Sequence, residues 1–403
     1  MFLSLLFPYL LSNFYRAFLA VVAGDLTRDL GLDPAQLASL QAAFLLAFAL
    51  TQFPVGLALD RIGPRRALIL GLCAAVAGSI LLGFTNHYWQ GLLAMALLGA
   101  GFSPVLMTGF YLIGRSYAPA RFATMSSLLF GLGTLGDPLS GTPLTLAVAA
   151  FGWRPTMLAM GGVTAASLLC VAAVIRNPPR IAPPGGSHSV LAGVRQVIAL
   201  RALWPLMPVA LTTYAVIAAT RGLWIAPYLG KVHHFGPEAV GISATAMGFA
   251  IAAGGLLYAP LNRLIGDAKH TVLAGVGATV IGWLVLGLLG ERSSALAIVL
   301  LLLVACLGAS FPIVLTHARS FMPIHLLGQG VTLVNLVFFV GAGLAQWVSG
   351  RYVRAAELAS LAPALIYERL FSGFALMLLI AWVVYLYSPR EKHGLHHRSA
   401  SSS

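Results

Sequence analysis

Long apolar runs separated by short polar turns organise this chain. Each run is about 20 residues or longer, the length a helix needs to cross the hydrocarbon core of a bilayer. They fall at 3–24, 37–59, 67–86, 90–114, 122–148 and 155–175, and again at 204–229, 239–261, 271–290, 295–317, 329–350 and 369–388. In lipid every backbone polar group must find its partner within the protein, so runs of this kind are predicted as helices. The predicted fold class is an all-α membrane protein of twelve transmembrane helices in two six-helix halves, 1–175 and 204–388. A polar, Pro/Gly-containing linker, 176–203, joins the halves, and the tail 389–403 is expected to be disordered.

The turns repeat as well as the runs. After the second run the chain reads Pro54-Val-Gly56-Leu-Ala-Leu-Asp60-Arg61-Ile-Gly63-Pro64-Arg65-Arg66. About 202 residues later Asn262-Arg263-Leu264 echoes Asp60-Arg61-Ile62, and Pro34-Ala-Gln-Leu returns as Pro237-Glu-Ala-Val. Two similar halves with a G-x-x-x-D-R-x-G-x-R-R turn after the second span resemble the major facilitator superfamily of transporters. The resemblance implies pseudo-symmetric halves and alternating access to a site between them. It also gives the turn a role. Asp60, at the end of helix 2, can pair with Arg61, Arg65 and Arg66 and with the positive N-terminal end of a neighbouring helix. The resemblance makes that neighbour helix 11, which starts near Gly328, and makes the cluster a conformational latch. Gly56 is expected to allow close packing there, and Gly63-Pro64 to stop the helix. The plainer alternative is that the arginines only anchor topology. The second copy has Asn262 in place of the acid, with Asp267 nearby as a substitute.

Composition fits lipid surroundings: 59% of residues are hydrophobic and 9% charged, against about 25% charged in soluble chains. The net charge of +13 reads as topology, not as affinity for nucleic acid. With both termini cytoplasmic, 15 Lys and Arg fall in cytoplasmic segments and 7 in outer ones, the bias of the positive-inside rule. A bacterial-type plasma (inner) membrane is the expected location. Cys73, Cys170 and Cys306 sit in separate runs without C-x-x-C spacing, so they read as small apolar packing residues. The first run has no basic leader and carries Arg16 inside it, unlike a cleaved signal. No nucleotide-binding loop or metal-ligand spacing is evident. The expectation is a non-enzyme without cofactor or metal, acting as a monomer.

Two arginines lie inside runs. Arg16 and Arg221 each stand about eight residues before the outer end of the first helix of their half. Tyr9 and Tyr214 lie seven residues before them, which puts each tyrosine on its arginine's face of the helix. Asn13 adds to the first face, and Trp224 and Tyr228 to the second. Arginine cannot shed its charge, and a charge at mid-membrane costs at least about 2.5–3.5 kcal/mol. Snorkelling explains part of such a position, since eight residues span about 12 Å, and so would a structural ion pair. Two arginines at matching depth, each with an aromatic face, point further, to a bound carboxylate or phosphate held bidentately.

Asp137 is the one deep acid, within Gly133-Thr-Leu-Gly136-Asp137-Pro138-Leu-Ser140-Gly141. Aligning Ser140-Gly141 with Ser349-Gly350 places Gln346 opposite it. Counter-ion, proton carrier and helix-packing residue are all open readings of Asp137. Gln41, Gln52 and Tyr258 read as interhelical contacts, and His317, near the cytoplasmic end of helix 10, as a boundary residue. Tyr111 and Asn335 are added to the candidate site because helices 4 and 11 border the cavity in the family.

Phe14-Tyr15-Arg16 is similar to the aromatic-then-Arg pattern of the superfamily's anion-handling branches, organophosphate antiporters and anion–cation symporters. The helix 5 glycines and prolines resemble an exporter motif, but Asp137 stands where that motif is uncharged. Around Leu97–Gly101, Met95 replaces an arginine that relatives carry, so no proton relay transfers to it. The leading expectation is a secondary transporter of a small organic anion, proton-coupled or exchanging anions. The alternatives are a proton-driven exporter of drugs or metabolites and a transport-inactive, receptor-like relative.

Overall fold

A computed structural model describes residues 1–117, 119–177, 190–323 and 326–390, and every regular element in it is helical. Among the described residues, ten helices are long and apolar enough to cross a bilayer. In chain order, span 2 is Pro34–Leu59, span 3 Pro64–Gly83, span 4 Tyr88–Ser116 and span 6 Trp153–Val174. Spans 7 to 12 are Arg201–His233, Pro237–Ile265, Ala268–Arg292, Ser294–Arg319, Leu327–Leu358 and Pro363–Leu386. Span 1 is a pair, Phe2–Ala17 and Leu19–Leu30, bent by 52°. Span 5 is broken into Pro119–Thr134, Gly136–Leu139 and Thr142–Phe151. Together these make the twelve expected spans.

Start signals are where the sequence places them. Pro34 and Pro237 both open their helices, where a missing N–H costs nothing. Asp33 closes a capping box with Gln36, accepting its N–H at 2.8 Å and donating its own to Oε1 at 3.1 Å. The larger differences from expectation are in four spans. Span 1 continues to Leu30, span 11 runs to Leu358 instead of 350, span 12 opens at Pro363 instead of 369, and span 5 is not one helix. In span 5, Pro138 lacks an N–H and its ring crowds the preceding turn. Gly141 adds a kink at φ −94°, ψ −113° before Pro143.

The two halves repeat their crossings. A Cβ on Gly136 of span 5 would lie 1.9 Å from the Leu10 carbonyl oxygen of span 1, and one on Gly341 of span 11 would lie 1.8 Å from that of Leu211 in span 7. Only glycine permits backbones that close.

The bundle is asymmetric end to end. At the end carrying Gly31, the two halves are sewn together. Gly141 sits against Thr245 and Gly241 of span 8, and Gly350 against Ala38 and Pro34 of span 2. The Thr142 N–H, freed by the break in span 5, donates to Thr245 Oγ1 at 2.7 Å, and Arg354 Nε lies 3.2 Å from Asp33 Oδ2. Toward the end carrying Gly63 the halves diverge. Span 8 packs on Gly136–Leu139 and Thr142–Phe151, while Pro104–Ser116 of span 4 and Phe311–Arg319 of span 10 make their main contacts within their own halves. Contact between the halves is thus concentrated toward the Gly31 face, with spans 2 and 11 still joined as far as Gln52 and Asn335 toward the Gly63 face. Cys73 and Cys170, expected as packing residues, are exposed on the bundle's surface, so only Cys306 is partly packed.

Candidate functional site: the charged centre of the bundle

Arg16 and Arg221 meet the centre from opposite halves, each at an irregularity in its helix. The Arg16 carbonyl accepts from Gln41 Nε2 at 2.6 Å, just before the bend at Phe18. In span 7 the Ala218 carbonyl accepts from Gln346 Nε2 at 3.0 Å, beside a π-helical turn, Thr220–Trp224, that carries Arg221. A side chain inserted into the backbone ladder is a known cause of such distortions, and single π turns concentrate at functional sites. Both glutamines are fully buried. Between them, a Cβ on Gly222 would lie 3.3 Å from the Arg16 carbonyl oxygen and 3.5 Å from each glutamine Nε2. Gln346, expected to stand opposite Asp137 as its counterpart, instead holds span 7. Gln41, read as an interhelical contact, is its partner in this role.

The two arginines have different surroundings. Arg221 is sealed in, with its side chain 3% exposed. Its Nη2 donates to the Asp137 carbonyl at 3.0 Å and to Ser140 Oγ at 3.1 Å. The same nitrogen is 3.1 Å from Asp137 Oδ1, a charge contact without hydrogen-bond alignment. Nε and Nη1 of Arg221 are buried without partners. Arg16 is half-buried and faces the divergent end. Its Nη1 donates to Asn13 Oδ1 at 3.3 Å, and its guanidinium lies against the rings of Phe48 and Phe339. Its Nε too is buried without a partner. Unmet buried donors are costly, and here three of them belong to two cations faced by one carboxylate. That arrangement leaves the centre with more positive than negative charge.

Around this pair the predicted residues divide. Asn13 bridges spans 1 and 5, donating to the Tyr9 and Gly133 carbonyls at 3.0 and 3.1 Å. Tyr9 packs its ring where a side chain on Gly133 would be. Tyr214 faces Arg16 and stacks edge-on against Phe339, with ring centres 5.3 Å apart. Asn335 donates to Gln52 Oε1 across spans 11 and 2 at 3.2 Å. Tyr111 is exposed on span 4 toward the divergent end. Trp224 is not with them: it donates to Ser349 Oγ at 2.8 Å on the sealed side. There it lines a separate cavity of ≈ 400 Å³ with Thr27, Thr145, Lys231 and Tyr367. Tyr228 packs against Tyr367 and Phe371, also away from the arginines. Phe48, Phe339 and Ser140 belong to the centre and were not predicted. Only Ser140 carried a signal, through its repeat match with Ser349; the phenylalanines look like any core aromatic.

The Gly63 turn is tied within its own half. Gly63 adopts φ +89°, the Arg65 N–H donates to Asn177 Oδ1 at 3.0 Å, and Arg65 Nη2 donates to the Ala172 carbonyl at 2.7 Å. Arg66 is exposed, and the Asp60 side chain lies outside the described residues. Gly56 corrects an expectation: no atom lies within 4 Å of its would-be Cβ, so it makes no close packing in this conformation, and Gly328 is equally open. In the second copy, Asp267 caps span 9 by accepting the Lys269 N–H at 3.0 Å and pairs with His270 at 2.5 Å. Partial burial pushes its carboxyl up, but these hydrogen bonds outweigh that and hold it below the usual range. Asp267 is a helix cap here, at the junction of spans 8 and 9.

Comparison with known proteins agrees with this architecture. The sequence profile of the Major Facilitator Superfamily matches residues 5–346. A probable L-galactonate transporter of Escherichia coli is 26% identical over 159 residues, 40% of this chain and 35% of that protein. A probable sulfoacetate transporter of Cupriavidus necator is 25% identical over 172 residues, 42% of this chain and 40% of that protein. The matches therefore span well under half the length of these relatives. Among solved structures, a bacterial homolog of the human lysosomal transporter Spinster, inward-facing and unoccupied, superposes with a TM-score of 0.77 at 18% identity, covering 96% of each chain.

Proposed function

The chain belongs to the major facilitator superfamily, and on that premise we propose that it is a secondary transporter carrying a small organic anion by alternating access. The observation that carries this reading is the pair of guanidiniums converging from two halves, with three buried N–H-bearing nitrogens unpartnered and one carboxylate opposite. A site at the midplane between repeats suits such transporters. The names of the galactonate and sulfoacetate relatives, both anion transporters, add support. A cation exporter would want an unpaired membrane acid, whereas Asp137 already faces Arg221.

In this reading Arg16, Asn13, Tyr214 and Tyr9, with Asn335 and Tyr111 toward the opening, form the substrate side of the site. Arg221 and Asp137 form the coupling side, held in place by Gln346. The Gly63 face is cytoplasmic by its excess of Lys and Arg, in a bacterial-type inner membrane, and the protein works as a monomer built of halves 1–175 and 204–388. The state described is then inward-open. The Asp60 cluster is a latch that closes in the opposite state.

Protonating Asp137 removes the one negative charge facing the arginines, so proton and anion favour each other, reciprocally. Asp137→Asn mimics the protonated form. It is expected to keep anion exchange in proteoliposomes and to lose accumulation driven by a pH gradient. A folded Asp137→Asn protein that still accumulates galactonate under that gradient would exclude Asp137 as the required proton site.

A further inference from the structure

Arg16, Phe48 and Phe339 make a closed triangle. The guanidinium carbon is 4.6 Å from the centre of the Phe48 ring and 5.0 Å from that of Phe339, and the ring centres are 4.5 Å apart. With those three lengths the two ring centres subtend an acute angle at the guanidinium carbon, so both rings stand in one sector around it and neither occupies the opposite sector. Phe48 belongs to span 2, in the first half, and Phe339 to span 11, in the second. Both are buried. Phe339 is braced from behind by Tyr214 at 5.3 Å, and Tyr214 by Phe311 at 5.4 Å.

A ring attracts a cation through the negative face of its quadrupole. A guanidinium held through its charge against ring faces spends none of its N–H groups on them, and those N–H groups are what grip an oxyanion bidentately. Asn13 already holds Nη1. Fixing a long side chain before its ligand arrives removes part of the ordering cost from binding.

We propose that Phe48 and Phe339 are positioning residues for Arg16, one from each half, and set anion affinity by fixing its guanidinium at the centre of the bundle before an anion arrives. The proposal rests on the reading of Arg16 as an anion ligand. It also makes the ligand-ready posture of Arg16 depend on the contact between spans 2 and 11. Ordinary core packing would depend on ring volume; positioning by the quadrupole depends on the ring's electron density at nearly constant volume.

Mono-, di- and trifluorophenylalanine placed at 339 in the full-length purified protein separate the two. The reading is the dissociation constant for galactonate and for sulfoacetate, by titration calorimetry. Affinity is expected to fall stepwise with fluorination and to reach about 3- to 30-fold weakening in Phe339→Leu, while Phe339→Tyr stays near wild type. Phe48→Leu is expected to act in the same direction. A wild type that binds, with a flat fluorination series, overturns the positioning role and leaves anion transport standing. A wild type that binds neither anion removes the anion reading itself and this inference with it.

Discussion

Arg16→Lys is expected to weaken anion binding by about 10- to 100-fold while the protein stays folded, because each hydrogen bond to a charged group contributes about 1.5–3 kcal/mol. Lysine keeps the charge but replaces a planar fork of N–H donors by a compact ammonium. It cannot donate to Asn13 Oδ1, lie on the Phe48 and Phe339 rings and present a two-pronged edge at once, as Arg16 is placed to do. Arg221→Lys replaces the Nη2 that donates to both the Asp137 carbonyl and Ser140 Oγ by an ammonium on a shorter stem and removes the planar fork, and is expected to impair coupling as well as affinity. Affinity measured on both variants decides. Unchanged values in both would remove the arginines as ligands.

Gly141→Val is expected to have the largest effect on conformation. A Cβ at 141 would stand 2.1 Å from Thr245 Oγ1, 2.8 Å from the Thr245 backbone nitrogen and 2.9 Å from the Gly241 carbonyl oxygen. Two of these are backbone atoms and cannot swing aside. Overpacking of this kind costs about 1–3 kcal/mol, which shifts a two-state equilibrium by about 5- to 150-fold. The strain exists only while the Gly31 face is sealed, so the population moves to the state open at that face. Gly350→Val meets Ala38 Cβ and the Pro34 carbonyl at the same seal and should act alike. Asp60→Asn should act oppositely, weakening the latch of the other state. Labelling of cysteines introduced near the Gly63 face reports both: accessibility falls for the glycine variants and rises for Asp60→Asn. Unaltered labelling in Gly141→Val would mean that the seal is not part of the transport cycle, and in Asp60→Asn that the turn serves topology alone.

The architecture was legible because lipid leaves few choices. Apolar length fixes a span, and Pro34 and Pro237 mark where two of them begin. The depth of Arg16 and Arg221 could be counted along the chain, and their convergence followed from the repeat. Span 5 was misread as continuous because its windowed hydropathy is high, although Gly136, Pro138, Gly141 and Pro143 all announced a break. Helical spacing puts Trp224 on the face of Arg221, but the π turn at Thr220–Trp224 turns less per residue than an α-helix, and the indole donates to Ser349 instead. Gln346 was matched to Asp137 by repeat alignment. The alignment compares positions in two helices, whereas the Gln346 amide answers to a carbonyl, Ala218, released by a third. Phe48 and Phe339 left no trace at all, since a phenylalanine beside a cation and one in a core are the same letter in the same kind of run.

Counterflow in proteoliposomes loaded with unlabelled compound tests the central claim most directly, because it needs neither the driving ion nor the direction of transport. Labelled galactonate and sulfoacetate are compared with an organic cation and a neutral sugar of similar size. The arginine-lined centre predicts that at least one of the anions exchanges in wild type and is lost or much weakened in Arg16→Lys, while cation and sugar do not exchange. Exchange of the cation or the sugar, with neither anion moved and Arg16→Lys without effect, would contradict it.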